Sequence, residues 1–133
     1  MLNDAVREFL ATPRIARLGT VTEDGYPHVV PLWFDVDGDD LVIISDIKTR
    51  KMKNLQANPK GSVQVGGDPG SGDPAGWLFT GEFELSKDEG HAWTERITHR
   101  YETPEEAEEH LKLWRNDEIW LLRLKVKKSI KVW

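Results

Sequence analysis

Apolar and polar positions change period several times along the chain, and each change marks an element. Between Asn3 and Ala11 the apolar residues Val6, Phe9 and Leu10 fall on one side of a helical period, with Asn3 placed to cap. A short amphipathic helix stopped by Pro13 is expected. From Arg14 to Val21 the period drops to two, with Ala16, Leu18 and Thr20 set against Ile15, Arg17 and Gly19. The turn TEDG then leads into a second strand, YPHVVPLWFDV, and the turn DGDD (Asp37 to Asp40) into a third, LVIIS. Pro27 and Pro31 are unusual in that second strand, because proline has no N–H for the ladder. They predict either a bulge or positions facing open space, and a bulged strand often borders a site.

A helix is expected next, from about Thr49 to Ala57, ended by Asn58-Pro59, and KGSVQVGG resumes strand character. Gly66 to Gly76, GGDPGSGDPAG, has the glycine, proline and aspartate content of a flexible loop, and WLFTGEFEL is strand again. Two capping boxes come after it, Ser86 with Glu89 and Thr103 with Glu106, the second with Pro104 at the favoured first helical position. They predict helices over about 87–101 and 104–115. The closing EIWLLRLKVKKSIKVW alternates well enough for one bent strand or two short ones. Neither a repeat nor a linker interrupts the pattern. One domain over 1–133 is expected, a closed or partly closed antiparallel barrel with peripheral helices.

Composition narrows the function classes. The 133 residues are 38% hydrophobic and 31% charged, enough for one core that hides roughly two thirds of the unfolded surface. No apolar run approaches the roughly 18 residues of a membrane helix, and MLNDAVREFLATP lacks the basic-then-apolar order of an export signal. A soluble cytoplasmic protein without a membrane partner is the expectation. Cysteine is absent, so thiolate nucleophiles, disulfides and finger-type zinc sites are excluded, and redox work would need a borrowed cofactor. A net charge of −5 repels nucleic acid as a whole, so a local basic cluster points to a small anion instead. Six tryptophans suit cores, subunit interfaces and the walls of aromatic-ligand pockets alike.

The basic cluster is ISDIKTRKMKNL, Ile44 to Leu55, where Lys48, Thr49, Arg50, Lys51 and Lys53 stand between an apolar strand and a helix. A helix N-terminus carries unpaired N–H groups and positive partial charge, so cations in its first turn cost a few tenths of a kcal/mol. An anion bound there supplies the reason for them. Thr49 adds a hydroxyl, Arg50 a bidentate fork and Lys51 a point charge. The competing account is a solvated basic face.

Other constellations carry less. His91, Glu95 and His99 share one face of the expected helix at four-residue spacing, but this is not a zinc-protease motif and no fourth ligand is identifiable, so a polar surface stripe is expected and no metal. His28 lies between the two prolines, facing either the site or the sheet edge. GSGDPA at 70–75 fits the letters of a dinucleotide-binding loop, yet Pro74 and the lack of a succeeding helix remove the context it needs. Neither an NTP-binding loop nor an esterase elbow occurs. Asp35, Asp37, Asp39 and Asp40 are accounted for by turn chemistry.

The order IARLGTVTEDGYPHVVPLWF, then LVIISDIKTRKMKNLQANPKGSVQV, resembles the flavin-binding split-barrel family typified by pyridoxamine 5′-phosphate oxidase, especially its small FMN-binding or F420-dependent members. The likeness covers Arg14 to Val65, and TGEFEL, Arg100-Tyr101 and KSIKVW also look like those relatives. Its most specific part is the strand leading into S-D-x-x-T-R-K, a helix and N-P. The resemblance implies a mainly β fold, a six-stranded antiparallel split β-barrel with flanking helices, acting as a homodimer with the cofactor between subunits. It implies that Ser45, Thr49, Arg50 and Lys51 hold the cofactor phosphate. Val30, Pro31, Leu32 and Trp33 would run beside the flavin ring, mostly through backbone groups. The C-terminal Arg-His motif of true pyridoxamine phosphate oxidases is missing, so the implied function is an FMN-dependent oxidoreductase acting on another small molecule. F420, with a longer anionic portion that Lys48, Lys53 and Lys60 could meet, is the close variant. A flavin carrier or a haem module, the latter needing a ligand such as His28, His91 or His99, is the non-catalytic alternative.

Overall fold

The two-residue alternation of the chain is realised in a single sheet. The computed structural model describes residues 2–132, which form β1 (Ala16–Val21), β2 (Pro27–Leu32), β3 (Asp35–Asp37), β4 (Asp40–Asp46), β5 (Lys60–Gly66), β6 (Gly76–Lys87) and β7 (Ile119–Lys131). The helices are α1 (Asp4–Leu10), α2 (Arg50–Ala57), α3 (Ala92–Tyr101) and α4 (Pro104–Trp114), with a 3-10 turn at Glu89–His91. None of the described helices is long and apolar enough to cross a membrane. Every strand pair is antiparallel, in the order β2-β1-β5-β6-β7-β4-β3. The expected six strands are therefore seven. The run YPHVVPLWFDV breaks at Trp33-Phe34, where Phe34 turns fully into the core, and the short β3 pairs back on β4.

The sheet does not close by hydrogen bonds, since β2 and β3 stand at opposite ends of the order. It wraps nonetheless: Val30 and Leu32 from one edge strand and Val36 from the other pack on the same core as Leu18, Ile43, Val63, Phe79 and Leu122. Helices α1 and α2 feed that core through Val6, Leu10, Met52 and Leu55. Outside the sheet lies a smaller cluster, Val42, Ile97 and Leu121, against which Trp33, Ile44, Trp93 and Tyr101 pack. Because β4 is apolar on both faces, it is covered by the main core on one side and by α3 on the other, which explains its unbroken run LVII.

Pro27 and Pro31 are exposed on the edge strand β2, whose register with β1 runs unbroken from Ala16↔Leu32 to Val21↔Pro27. Of the two expectations, open space is the one met. The long antiparallel pair β6–β7, joined through the 3-10 turn, α3 and α4, bends at a register shift between Thr80 and Gly81. There a Cβ on Gly81 would collide with the Lys125 carbonyl oxygen, so only glycine fits. The closing segment is thus one bent strand.

The Ser86–Glu89 capping box does not form. Ser86 stays in β6, and the buried carboxylate of Asp88 takes the capping role instead, accepting from Trp93 N (3.1 Å), Thr94 N (2.8 Å) and Thr94 Oγ1 (2.7 Å). Gly90 and His91 both take positive φ, 66° and 56°, which separates the 3-10 turn from a helix that begins at Ala92 rather than near 87. At Thr103 the box is complete, with Glu106 N donating to Thr103 Oγ1 and Thr103 N to Glu106 Oε1. The aspartates assigned to turn chemistry also do more. Asp35 is buried on β3 and accepts from Arg96 Nε (2.9 Å) and Arg100 Nη1 (3.0 Å), tying α3 to the sheet, while Asp40 accepts from Arg123 and Lys125 on β7.

Candidate functional site

The end of β4 delivers the chain to the start of α2, and this junction is built by side chains four residues apart. Thr49 is the N-cap in extended conformation, its hydroxyl accepting from Met52 N at 3.4 Å. Ser45 is buried at the end of β4 and its hydroxyl lies 2.7 Å from that of Thr49. Both also approach the Asp46 carbonyl oxygen, at 3.0 and 3.1 Å. Two neighbouring hydroxyls thus share one acceptor, and either can rotate to donate outward without leaving the other unpaired.

The first turn of α2 holds no acidic residue. Lys51 is half-buried, and burial pushes its ammonium below the ordinary lysine value, with nearby Asp46 working in the opposite direction. No carboxylate of the described residues lies within ion-pair distance of it. Lys51 and Ser45 line one open cleft of about 350 Å³ together with Trp114, Thr94 and Ile119, and with the two carboxylates Asp46 and Asp117. At the helix start itself a partly desolvated cation, the Ser45 and Thr49 hydroxyls and the first N–H groups of α2 make a donor set suited to a phosphate monoester, and the Asp46 and Asp117 carboxylates of the neighbouring cleft oppose an anion placed deeper in it.

The expected residues separate into three positions. Ser45 and Thr49 touch, and Ser45 and Lys51 share the cleft, while Arg50 is exposed beside it with Lys48 and Lys53. Val30 and Leu32 pack into the main core, Pro31 is exposed between them, and Trp33 stacks on Tyr101 with ring centroids 5.1 Å apart. Trp33 joins the cleft indirectly, since Ile44, which lines it, packs on the same small cluster. Lys60 lies elsewhere, on a groove with Lys127 and Lys128.

The histidines do not converge. His91 Nε2 is 3.0 Å from the Asp117 carbonyl oxygen, and no group of three His, Asp or Glu among the described residues is arranged to hold a metal ion. His28 faces inward opposite Thr20, with its Nδ1 buried and unpartnered. Arg100 and Tyr101 have structural work: the Tyr101 hydroxyl donates to Arg14 O at 2.6 Å, and Arg100 Nη2 to Leu10 O at 2.7 Å. Trp114, Thr94 and Asp117 are members of the site that no sequence motif marks. Trp114 is the last residue of a helix whose start is unmistakable, but only the α3–α4 hairpin brings its C-terminus over the end of β4.

Among known proteins, the family described as pyridoxamine 5′-phosphate oxidase matches residues 2–116. No curated protein sequence matches the chain. A solved structure named F420 reductase aligns with a TM-score of 0.76 at 24% identity, covering 97% of this chain and 98% of its own. A conserved hypothetical protein from Mycobacterium tuberculosis aligns at 0.77 and 22% identity, over 98% and 84% of the two chains. A heme binding protein from Mycobacterium smegmatis aligns at 0.67 and 18%, over 92% of this chain and 50% of its own. Likeness at these identities establishes the common fold.

Proposed function

We propose that this chain, which belongs to the pyridoxamine 5′-phosphate oxidase family, is an FMN-binding oxidoreductase. It would pass hydride or electrons between a reductant and a small molecule at a flavin held between two copies of the chain. The observation that carries this reading is Lys51: a half-buried ammonium, without an ion-pair partner among the described residues, in the first turn of a helix where no acidic residue answers the positive end. A bound phosphate offsets both the burial of the cation and its place at the positive end of the helix. In this arrangement Ser45 and Thr49 donate hydroxyl hydrogen bonds, Lys51 supplies the desolvated charge and Arg50 closes the open side.

Flavin, when bound, supplies the hydride chemistry itself, so the chain's task is to hold and orient it and to exclude water. Val30, Pro31, Leu32 and Trp33 suit the ring side. The first three lie on the edge strand β2, with Trp33 just past its end, and the outer backbone groups of that edge are free to meet a planar polar ring. The same strand exposes Val29 (63%) and, beside it, Tyr26 (72%), an apolar surface that a second copy would cover.

F420 is the second reading, favoured by the exposed cations Lys48 and Lys53, which stand beside the cradle in addition to the Arg50 and Lys51 assigned to one phosphate, and by the likeness to a protein named F420 reductase. Purification and then pigment extraction separate the possibilities. Flavin absorbance with FMN in the extract is expected. F420 without FMN transfers the assignment to the second reading, a Soret band indicates a haem module, and a protein that neither retains nor takes up FMN overturns the proposal.

A further inference from the structure

Gly19 stands in the middle of β1, and no contact within the chain requires a glycine there. Its φ is not positive, and a Cβ built on it would meet only the Ser62 carbonyl oxygen, at 3.8 Å, an ordinary contact. Two other strand glycines differ. A Cβ on Gly61 would press on the Phe83 ring at 2.9 Å, and one on Gly81 would collide with the Lys125 carbonyl oxygen, so packing excludes side chains at both. Glycine weakens a strand interior, and one without an internal reason marks a place where something outside comes close to the backbone.

Leu18 and Thr20 are buried, so Gly19 points to the outer side of the sheet. Its row continues through the register of five strands as Val29, Gly19, Ser62, Thr80 and Lys128. No large side chain stands between Val29 and Lys128. The helices are occupied elsewhere: α1 and α2 feed the inner core, and α3 covers β4. Six large hydrophobic residues are exposed among the described residues, and all but Leu113 lie on this outer face or at its margin, namely Ile15, Tyr26, Val29, Ile130 and Val132. A small ligand over Gly19 would explain the glycine but not an apolar surface spread over the whole face.

We infer that the outer face of β2, β1, β5, β6 and β7 seats a second copy of the chain, with Gly19 at the closest approach. The inference rests on the two-copy reading of the flavin site and deepens it, by giving the second copy a surface that runs well beyond the edge strand. Five strands about 4.8 Å apart and about six residues long give a footprint on the order of 500 Å². Projecting side chains such as Tyr26 raise it toward the roughly 800 Å² per partner of an ordinary stable interface. Charge agrees with this occupant. The β1–β2 turn at one end of the face carries exposed Glu23 and Asp24, and the β7 end carries exposed Lys127 and Lys128. A two-fold axis along the strands sets β2 of one copy over β7 of the other, which brings the acidic turn of each toward the lysine end of its partner.

Sedimentation velocity of the intact protein, without added flavin, is expected to show a species of twice the 15.2 kDa chain mass. Gly19→Val should raise the dimer dissociation constant at least about tenfold, with Gly19→Ala intermediate, and Val29→Asp should do the same from the neighbouring strand. Circular dichroism of the dissociated variants should match the unaltered protein. Leu113→Asp, away from the face, should leave the dimer intact. Glu23→Lys should weaken it severalfold and added Lys128→Glu restore it; no recovery overturns the two-fold arrangement. A monomeric unaltered protein, or a dimer that survives both Gly19→Val and Val29→Asp, overturns the inference. A monomer that binds FMN overturns it while leaving the phosphate reading intact, and a dimer through this face that takes up no FMN upholds it while overturning the proposed function.

Discussion

At the start of α2 and at the start of α4 a threonine does the same work. Thr49 and Thr103 are both extended, with ψ of 158° in each, and both accept from the backbone N–H three residues on, at 3.4 and 3.3 Å. The residues after them are opposite in charge. Beyond Thr103 stand Pro104, Glu105 and Glu106, which complete the cap and answer the positive end of the helix with negative charge. Beyond Thr49 stand Arg50 and Lys51, with no acid in the turn. One helix start is arranged for its own stability, and the other forgoes a few tenths of a kcal/mol or more. Equal backbone geometry removes capping as the explanation for the difference, and the proposed phosphate would supply the negative charge that the first turn of α2 lacks.

The largest effect of that contrast is expected in the double variant Arg50→Ala with Lys51→Ala. Charge-assisted hydrogen bonds contribute about 1.5–3 kcal/mol each, so FMN affinity measured by calorimetry should fall by roughly a hundredfold or more. Stability to urea should hold or rise slightly, because two cations leave the positive helix end. Loss of binding with gain of stability is a combination that a merely solvated basic face does not produce.

Thr49→Ala and Thr103→Ala separate capping from binding. Each removes an N-cap and should cost about 1 kcal/mol in denaturant unfolding. Only the Thr49 change should also weaken FMN, by severalfold, since its hydroxyl neighbours Ser45 in the cradle. If both variants bind FMN as the unaltered protein does, Thr49 is a cap and nothing more.

A smaller effect is expected from pH. Burial lowers the Lys51 pKa below its ordinary value of 10.5, so in the free protein the charged form costs stability, and that cost lessens as pH rises through the lowered value toward 10.5. Phosphate binding has the opposite dependence, because it needs the ammonium. FMN affinity should rise as the phosphate takes its second charge near pH about 6, hold through neutrality, and decline on the alkaline side as Lys51 loses its proton. Lys51→Arg, which stays charged, should abolish the alkaline decline. A decline of the same shape in that variant would mean that another group titrates.

The difference between the two helix starts also accounts for what can be read from the chain alone. Thr49-Arg50-Lys51 and Thr103-x-x-Glu106 are local signals, complete within one turn of helix, and both stand in the structure at their expected positions. Ser86-x-x-Glu89 is as good a local signal and fails, because Asp88 is a stronger acceptor nearby and the chain at Ser86 is already committed to pairing with Leu121 on β7. Asp35 reads locally as a turn residue, and only α3, some sixty positions later, brings Arg96 and Arg100 onto it. The seventh strand is hidden by the unbroken apolar run through Trp33 and Phe34. Trp114 lacks any short-range signal for its place at the cleft. The candidate phosphate cradle is legible because a helix start is local; the place of Trp114 and Thr94 at the cleft is not, because it depends on how two helices fold back over the end of β4.

Whether the start of α2 recognises a phosphate is decided by the ratio of FMN to riboflavin affinity, since the two molecules differ only in that group. The unaltered protein should prefer FMN by at least about a hundredfold, and in Arg50→Ala with Lys51→Ala the ratio should collapse toward one because FMN affinity falls to that of riboflavin. A ratio that survives the double substitution, or a protein that binds riboflavin as tightly as FMN from the outset, contradicts phosphate recognition at this helix.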